Sequence, residues 1–402
     1  MYILEDAPVP APVFGTHDEQ TLAQFRQVLQ SAERGALMAD GHVGYVMPIG
    51  GVAAYRNKIS PVGVGFDIAC GNLAIKLDLK ADNFKVDPVL DRIEREISFG
   101  IGQTNPNAPK DHPLFESDKW EAYGDPKLIG EMKKLGREQL GTVGSGNHYV
   151  DIFKDDENFI WIGVHFGSRG LGHKTASGFM NLSQDRPWQG RAPEVEVLLD
   201  LDSDLGSRYY KAMQLAGEYA YAGREWVGRT VADIIGAEII DWVHNHHNFA
   251  WKETHFGEEY IVVRKGATPA FPGQRSFVGG SMGDISVILK GIDSDESKTA
   301  LYSTIHGAGR VMSRTQAAGK FKGWGRKRRQ IKRGVINKQE VEEILKKKGV
   351  KLRGGGLDEA PQVYRKLNEV LNEHQHTIEI EHRLQPLGVV MAGADVYDPF
   401  KD

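Results

Sequence analysis

Apolar runs cut by glycine and proline dominate the first part of the chain. His42-Val43-Gly44-Tyr45-Val46-Met47-Pro48-Ile49-Gly50-Gly51-Val52 and Val62-Gly63-Val64-Gly65-Phe66 read as buried strands joined by tight loops. On either side the spacing becomes helical. Leu22, Phe25, Val28 and Leu29 share a face over 21–32, as do Val89, Ile93 and Ile97 over 88–97, so both stretches are predicted helices. Strands are expected again at 149–153 and 160–164, followed by a glycine-rich turn over 167–172. Small and apolar residues at helical spacing over 207–237 predict long buried helices, and His244-Asn245-His246-His247-Asn248 is expected at a helix end. The β-branched and aromatic stretch 260–264 predicts a strand. These segments alternate without a βαβ rhythm, repeat or linker. The expected architecture is therefore one large α/β domain over 1–402, with mixed α+β sheets and no doubly wound core.

Charge narrows the possible partners. Fifty Lys and Arg stand against 54 Asp and Glu, a net charge of −4, so no chain-wide positive field draws in a polyanion. A polyanion would need a local patch, and the 320–353 segment supplies one. Lys320-Phe321-Lys322-Gly323-Trp324-Gly325-Arg326-Lys327-Arg328-Arg329-Gln330-Ile331-Lys332-Arg333 contains no acid, and Lys346, Lys347, Lys348 and Lys351 follow. It reads either as a solvated loop or as a phosphate-tracking surface on which Phe321 and Trp324 stack bases. No apolar run approaches the roughly 20 residues of a membrane span, and the first residues lack a signal-peptide pattern, so a cytoplasmic chain without membrane contact is expected.

The one cysteine, Cys70, excludes an intramolecular disulfide and any zinc site with several thiolates. Its neighbours give it a chemical reading. In Gly65-Phe66-Asp67-Ile68-Ala69-Cys70-Gly71 a carboxylate and a thiol three residues apart suit a divalent metal. His148 follows the flexible Gly144-Ser145-Gly146-Asn147, His165 closes an apolar strand, and His247 lies in the histidine cluster. Together they form a mixed set that holds Zn²⁺, Mn²⁺, Fe²⁺ or Co²⁺ without choosing among them. His306 begins a small-residue turn, Gly307-Ala308-Gly309-Arg310-Val311-Met312-Ser313-Arg314, expected to lead into an Arg-bearing helix. An imidazole beside such an anion site can serve as general acid or attack phosphorus. Gly279-Gly280-Ser281-Met282-Gly283 and Arg264-Lys265-Gly266-Ala267 are further phosphate-friendly loops. None matches a Walker or Rossmann fingerprint.

Taken in order, these motifs and Asp40-Gly41-His42-Val43-Gly44-Tyr45 closely resemble the RtcB family of GTP-dependent 3′-phosphate RNA ligases, over roughly residues 35 to 393. The resemblance implies that Asp67, Cys70, His148, His165 and His247 hold one or two Mn²⁺, with Cys70 shared. It implies that His306 attacks the α-phosphate of GTP to give a covalent guanylate, with Asp40 orienting the imidazole. The guanylate then passes to an RNA 3′-phosphate, formed where necessary from a 2′,3′-cyclic phosphate, and a 5′-hydroxyl displaces GMP. Asn147, Tyr149, Asp151, Ser281, Ser286, Ala308, Gly309 and Arg310 would serve the nucleotide, and Arg169, Arg314 and Lys265 phosphate or RNA. An archease-type activator is a further candidate partner. Two positions depart from the family pattern. Asp151 stands where the family carries a guanine-reading Glu, and Ala392 where it carries a guanine-capping Lys, so base preference stays open. Two other readings compete: a metal-dependent cyclic phosphodiesterase that needs no nucleotide, and an end-binding protein without catalysis.

Overall fold

In the computed structural model, which describes residues 1–322 and 329–393, the chain builds two large sheets and a long helix that backs one of them. The first sheet runs Tyr2–Leu4, Ala11–Val13, Arg34–His42, Ile49–Tyr55, Glu258–Lys265, Asn248–His255. The second runs Ile239–His246, Gly71–Lys80, Phe159–Phe166, Tyr149–Lys154, Ile378–Gly393, Ser286–Gly291, Arg275–Val278, and Lys351–Gly355 lies parallel along Ile378–Gly393. Ala11–Val13 also meets Arg34–His42 in parallel, while most other neighbours are antiparallel. Both sheets are therefore mixed, the α/β class that the pattern predicts.

The second sheet is apolar on both faces. Ile160, Ile162 and Val164 pack with Val150 and Ile152 against Val227 and Val231 of the helix Asp204–Ile235. Trp161 and Phe153 point the other way, into a cluster with Phe277 and Leu384. This explains the unbroken apolar run at 160–164, which a half-exposed strand would not show. The helix has 32 residues, roughly 48 Å at about 1.5 Å per residue. Ser203 caps its first turn by accepting from the Gly206 N–H, and Gly236 ends it in the left-handed region at φ 77°. It is a single helix where several were expected.

Gly236 also explains a correction. The histidine cluster expected at a helix end sits on a strand, because the chain leaves the helix at Gly236 and pairs Ile239–His246 with Gly71–Lys80. Two other expectations change. The 62–66 run contains a short helix, Pro61–Val64, capped by the Ser60 hydroxyl, and the glycine-rich 167–172 stretch starts the helix Arg169–Leu182. The helix after His306 begins only at Arg314, where Ser313 caps it. The remaining predicted elements are present with shifted ends, as Glu19–Val28, Val86–Glu96, Tyr149–Lys154, Phe159–Phe166 and Glu258–Lys265. Of the basic run, Trp324, Arg326, Lys327 and Arg328 lie outside the described residues. Among the described residues no helix is long and apolar enough to cross a membrane.

Candidate metal and nucleotide site

His247 is the one residue between a strand of the second sheet, Ile239–His246, and a strand of the first, Asn248–His255. Its N–H donates to the Cys70 carbonyl at 2.8 Å, and its own carbonyl accepts the Ala267 N–H at 3.1 Å. Cys70 sits in a tight loop closed by its N–H on the Asp67 carbonyl at 3.0 Å. Ala69 in this loop holds φ 58°, a left-handed conformation that costs a non-glycine residue on the order of 1 kcal/mol. His165 is the last residue but one of its strand and His148 immediately precedes the neighbouring one. The two sheets thus bring five residues, scattered over 181 positions of sequence, to one point.

Their donor atoms fall into two sets that share a sulfur. Asp67, Cys70 and His148 form one, Cys70, His165 and His247 the other, with the atoms of each set within 4.8 Å of one another. Cys70 Sγ lies 3.8 Å from His148 Nε2 and 3.7 Å from His165 Nε2, and His148 Nε2 lies 3.0 Å from Asp67 Oδ2. A proton on Nδ1 of His165 meets Asn72 Oδ1 at 2.7 Å and leaves its Nε2 lone pair for a ligand. Nδ1 of His148 faces the Val143 carbonyl at 2.9 Å, so that its Nε2, here hydrogen-bonded to Asp67, becomes a ligand once a cation displaces the proton between them. Burial pushes His165 and His247 well below the ordinary imidazole range, so both stay neutral. Burial, reinforced by the Asp67 charge, pushes the Cys70 thiol up. Burial also works against ionisation of Asp67, but the hydrogen bond and charge of His148 outweigh it and hold the carboxyl well down. Nδ1 of His247 is buried without a hydrogen-bond partner, the kind of orphan that a cation satisfies. Neutral imidazoles, one carboxylate and a thiol that a cation would deprotonate fit a divalent metal.

His306 follows the strand Ser303–Ile305, and its ring centroid lies 5.0 Å from that of His247. Its Nδ1 is 2.6 Å from Oδ2 of the fully buried Asp40. The same oxygen accepts the N–H groups of His306 and Gly307 at 2.9 and 3.2 Å. Burial opposes the Asp40 charge, yet the imidazole and these donors outweigh it and hold the carboxyl below its ordinary value. Gly309, at φ 75°, passes so near the Asp40 backbone that a Cβ there would stand 2.4 Å from its carbonyl oxygen. Arg264, paired with Glu253 at 2.7 Å, holds the Leu301 carbonyl and the Ser303 hydroxyl, both at 2.8 Å, and so fixes the strand that delivers His306.

A cavity of about 790 Å³ opens onto both groups. Asn147, Tyr149, Asp151, Ser281, Ala308, Gly309, Arg310, Arg314 and Lys265 line it, together with Asp67, Cys70, His165, His247 and His306. Asp40, His148, Arg169 and Ser286 are not on its wall. Ser286 instead accepts the Gly280 N–H at 3.0 Å and shapes the Gly279–Gly283 loop, and the Arg169 guanidinium stands 3.2 Å from His148 Nδ1. Asp151 is buried with an unpaired Oδ1, and burial pushes its carboxyl well up. Lys265 donates to the Tyr45 and Val62 carbonyls, at 2.6 and 3.2 Å, with burial pushing it down to about 7. Ala392 is buried in the strand Ile378–Gly393, off the cavity wall.

Sequence reasoning missed two groups. Arg310 and Arg314 are held by acids: Arg310 lies 3.3 Å from Glu359, and Arg314 3.0 Å from Asp358 and in contact with Glu359. The available signal was a pair of acids directly after Gly354-Gly355-Gly356-Leu357, just beyond the basic segment. The second group is Arg224, fully buried in the long helix. It donates to the carbonyls of Ala69, at 2.9 Å, and Phe166, and contacts His246 Nδ1 and His244 Nε2, both at 2.9 Å. Ala69, Phe166 and His246 each adjoin a member of the cluster, so one guanidinium braces three of the five. Its signal was a charge at helical spacing from apolar residues, four after Ala220 and three before Val227. Arg224→Lys keeps the charge but loses the fork. It is expected to weaken divalent-cation binding, probed with Mn²⁺, about 10- to 100-fold in a calorimetric titration, as loss of a supporting partner does. Unchanged binding would reduce Arg224 to a core residue.

A family model described as tRNA-splicing ligase RtcB matches residues 21–392. The chain is 33% identical to RNA-splicing ligase RtcB homolog 2 of Entamoeba dispar, over 88% of this chain and 79% of that protein. It is 29% identical to tRNA-splicing ligase RtcB of Thermococcus kodakarensis, over 95% of this chain and 94% of the other. With RNA-splicing ligase RtcB of Escherichia coli it shares 28% identity, over 87% and 88%.

Proposed function

Because the chain belongs to the RtcB family of tRNA-splicing ligases, we propose that it joins RNA ends bearing a 3′-phosphate or 2′,3′-cyclic phosphate to 5′-hydroxyl ends, using GTP and Mn²⁺. The observation that carries this reading is the Asp40–His306 pair, at 2.6 Å, opening onto the same cavity as the two donor sets that share Cys70. Asp67, Cys70, His148, His165 and His247 would hold the metal. Bound there, a divalent ion neutralises phosphate charge and orients the transferring group. With the Nδ1 proton held by Asp40, Nε2 of His306 is the nucleophile: it bonds the α-phosphorus as the bond to the β-phosphate oxygen breaks, and pyrophosphate leaves. The nucleotidyl group then moves to the RNA 3′-phosphate, which at a cyclic end forms first as water breaks the bond from phosphorus to the 2′-oxygen, and frees His306. Attack by the 5′-hydroxyl forms the phosphodiester and expels GMP.

The test is incubation with Mn²⁺ and each α-labelled nucleoside triphosphate, followed by addition of RNA ends. Label on the protein and a joined strand are expected. No label from any of the four triphosphates would remove the reading. The same assay resolves the base. An ionised carboxylate suits the two N–H donors of the guanine edge, whereas a protonated Asp151 offers one donor and one acceptor, as the adenine edge does in reverse. Labelling strongest with ATP would therefore point to a protonated Asp151 in the base pocket.

A further inference from the structure

The basic segment divides into two parts with different electrostatics. Among the described residues most of its later cations are engaged, Lys346 and Lys347 excepted: Lys338 with Glu342 at 3.6 Å, Lys351 with Asp87 at 3.5 Å, and Arg353 with Asp87 and Asp91 at 3.0 and 2.8 Å. Lys348 donates to the Gly283 carbonyl at 2.6 Å and so supports a cavity loop. The earlier cations lie on a ribbon of two strands, Gly319–Lys322 and Arg329–Arg333, that joins neither large sheet. There Lys320 stands opposite Lys332 and Lys322 opposite Arg329. All four are exposed, and none forms an ion pair among the described residues. The sequence between the strands adds Arg326, Lys327 and Arg328 and no acid.

Like charges directly opposite each other destabilise a ladder, here on two of its rungs. The ribbon therefore holds a repulsion that a polyanion relieves. Its position suits one particular polyanion. The helix Arg314–Ala318 runs straight into it, and the ribbon begins three residues beyond Gln316, which, like Arg314, lines the cavity.

We propose that the ribbon is an arm that tracks the phosphate backbone of the RNA strand whose end enters the cavity, through Lys320, Lys322, Arg329 and Lys332. The identity of the polyanion rests on the ligase reading; the presence of a polyanion surface does not. Two measurements on the full chain test it. The first is fluorescence anisotropy with a single-stranded RNA carrying a 3′-phosphate, followed over 50 to 300 mM salt. The second is RNA-free labelling with GTP.

The variant Lys320→Gln, Lys322→Gln, Arg329→Gln, Lys332→Gln is expected to bind RNA at least about tenfold more weakly at 0.1 M salt, with the slope of log K against log salt smaller by about 3, four contacts at roughly 0.7 each. Its labelling should equal that of the unaltered chain. Equal affinity and equal slope would overturn the proposal and leave the ribbon as a protein contact or a solvated turn. If the fourfold variant loses labelling or melts early, the pair Lys320→Gln, Lys322→Gln replaces it, with an expected slope change of about 1.4. Replacing the three lysines by arginine should leave the slope intact, and a loss there would overturn a charge-based role. If the unaltered chain binds RNA with a steep slope but takes no label from any triphosphate, the ligase reading fails while the arm stands.

Discussion

His306→Ala chain incubated with Mn²⁺ and α-labelled GTP is expected to carry no label, because no other imidazole on the cavity wall has the same support. His165 and His247 are neutral but lie in the donor sets, and His42, whose Nδ1 faces the Asp40 carbonyl oxygen at 3.0 Å, is pushed down to about 4 by burial and has no carboxylate behind it. The more discriminating variant is Asp40→Asn. It preserves shape but offers the imidazole a neutral amide, so the Nδ1–H tautomer and the charge that develops on the ring lose their partner. A buried carboxylate behind a catalytic imidazole is worth about 10⁴-fold in a comparable arrangement, and a loss of roughly 10³- to 10⁴-fold in labelling rate is expected here. Labelling at the unaltered rate would show that Asp40 only caps the His306–Gly307 turn.

Stability separates these two roles of Asp40. Its carboxyl is held below its ordinary value in the folded chain, so the ionised form contributes stability above about pH 4, and the contribution is lost as pH falls through the folded value. The cost of Asp40→Asn in thermal unfolding should therefore be full near pH 7 and shrink towards pH 3. A cost independent of pH would mean that packing, and not the charge, is what the variant removes.

The elements that periodicity governs were legible in the sequence: the long helix, the two central strands of the second sheet and the strand 258–265 all lie where apolar spacing puts them. The cluster of residues 244–248 was misplaced, since a preceding helical pattern says nothing of how soon a left-handed glycine can redirect the chain. Motifs named the candidate metal residues, because glycine-flanked Asp, Cys and His keep their local signature wherever they fold. Arg224, Asp358 and Glu359 lack such a signature. Their work is to satisfy carbonyls and guanidinium groups brought near only by the meeting of distant strands, and sequence spacing holds no trace of that. Ser286 and Arg169 show the converse: each adjoins a motif, yet each acts one layer behind the cavity wall.

Cys70→Ser is expected to have the broadest effect on metal binding of any single change, because Cys70 alone belongs to both donor sets. Serine keeps the size of the side chain but supplies no anion near neutral pH, so each set is left with two donors. Mn²⁺ binding should weaken by more than about 100-fold, exceeding the 10- to 100-fold typical of residues that only support a ligand. His148→Ala and His247→Ala remove one donor from one set each. If two ions share the sulfur, a calorimetric titration of either variant should retain one class of site, whereas Cys70→Ser should retain neither. Fold loss is separable from ligand loss. Without metal the serine hydroxyl in this buried site costs about 1–3 kcal/mol, a modest shift in melting. With Mn²⁺ at 100 times its dissociation constant the unaltered chain gains about 2.7 kcal/mol, and the variant should gain almost nothing. Equal stabilisation of both by Mn²⁺ would place the ion elsewhere and return Cys70 to the core.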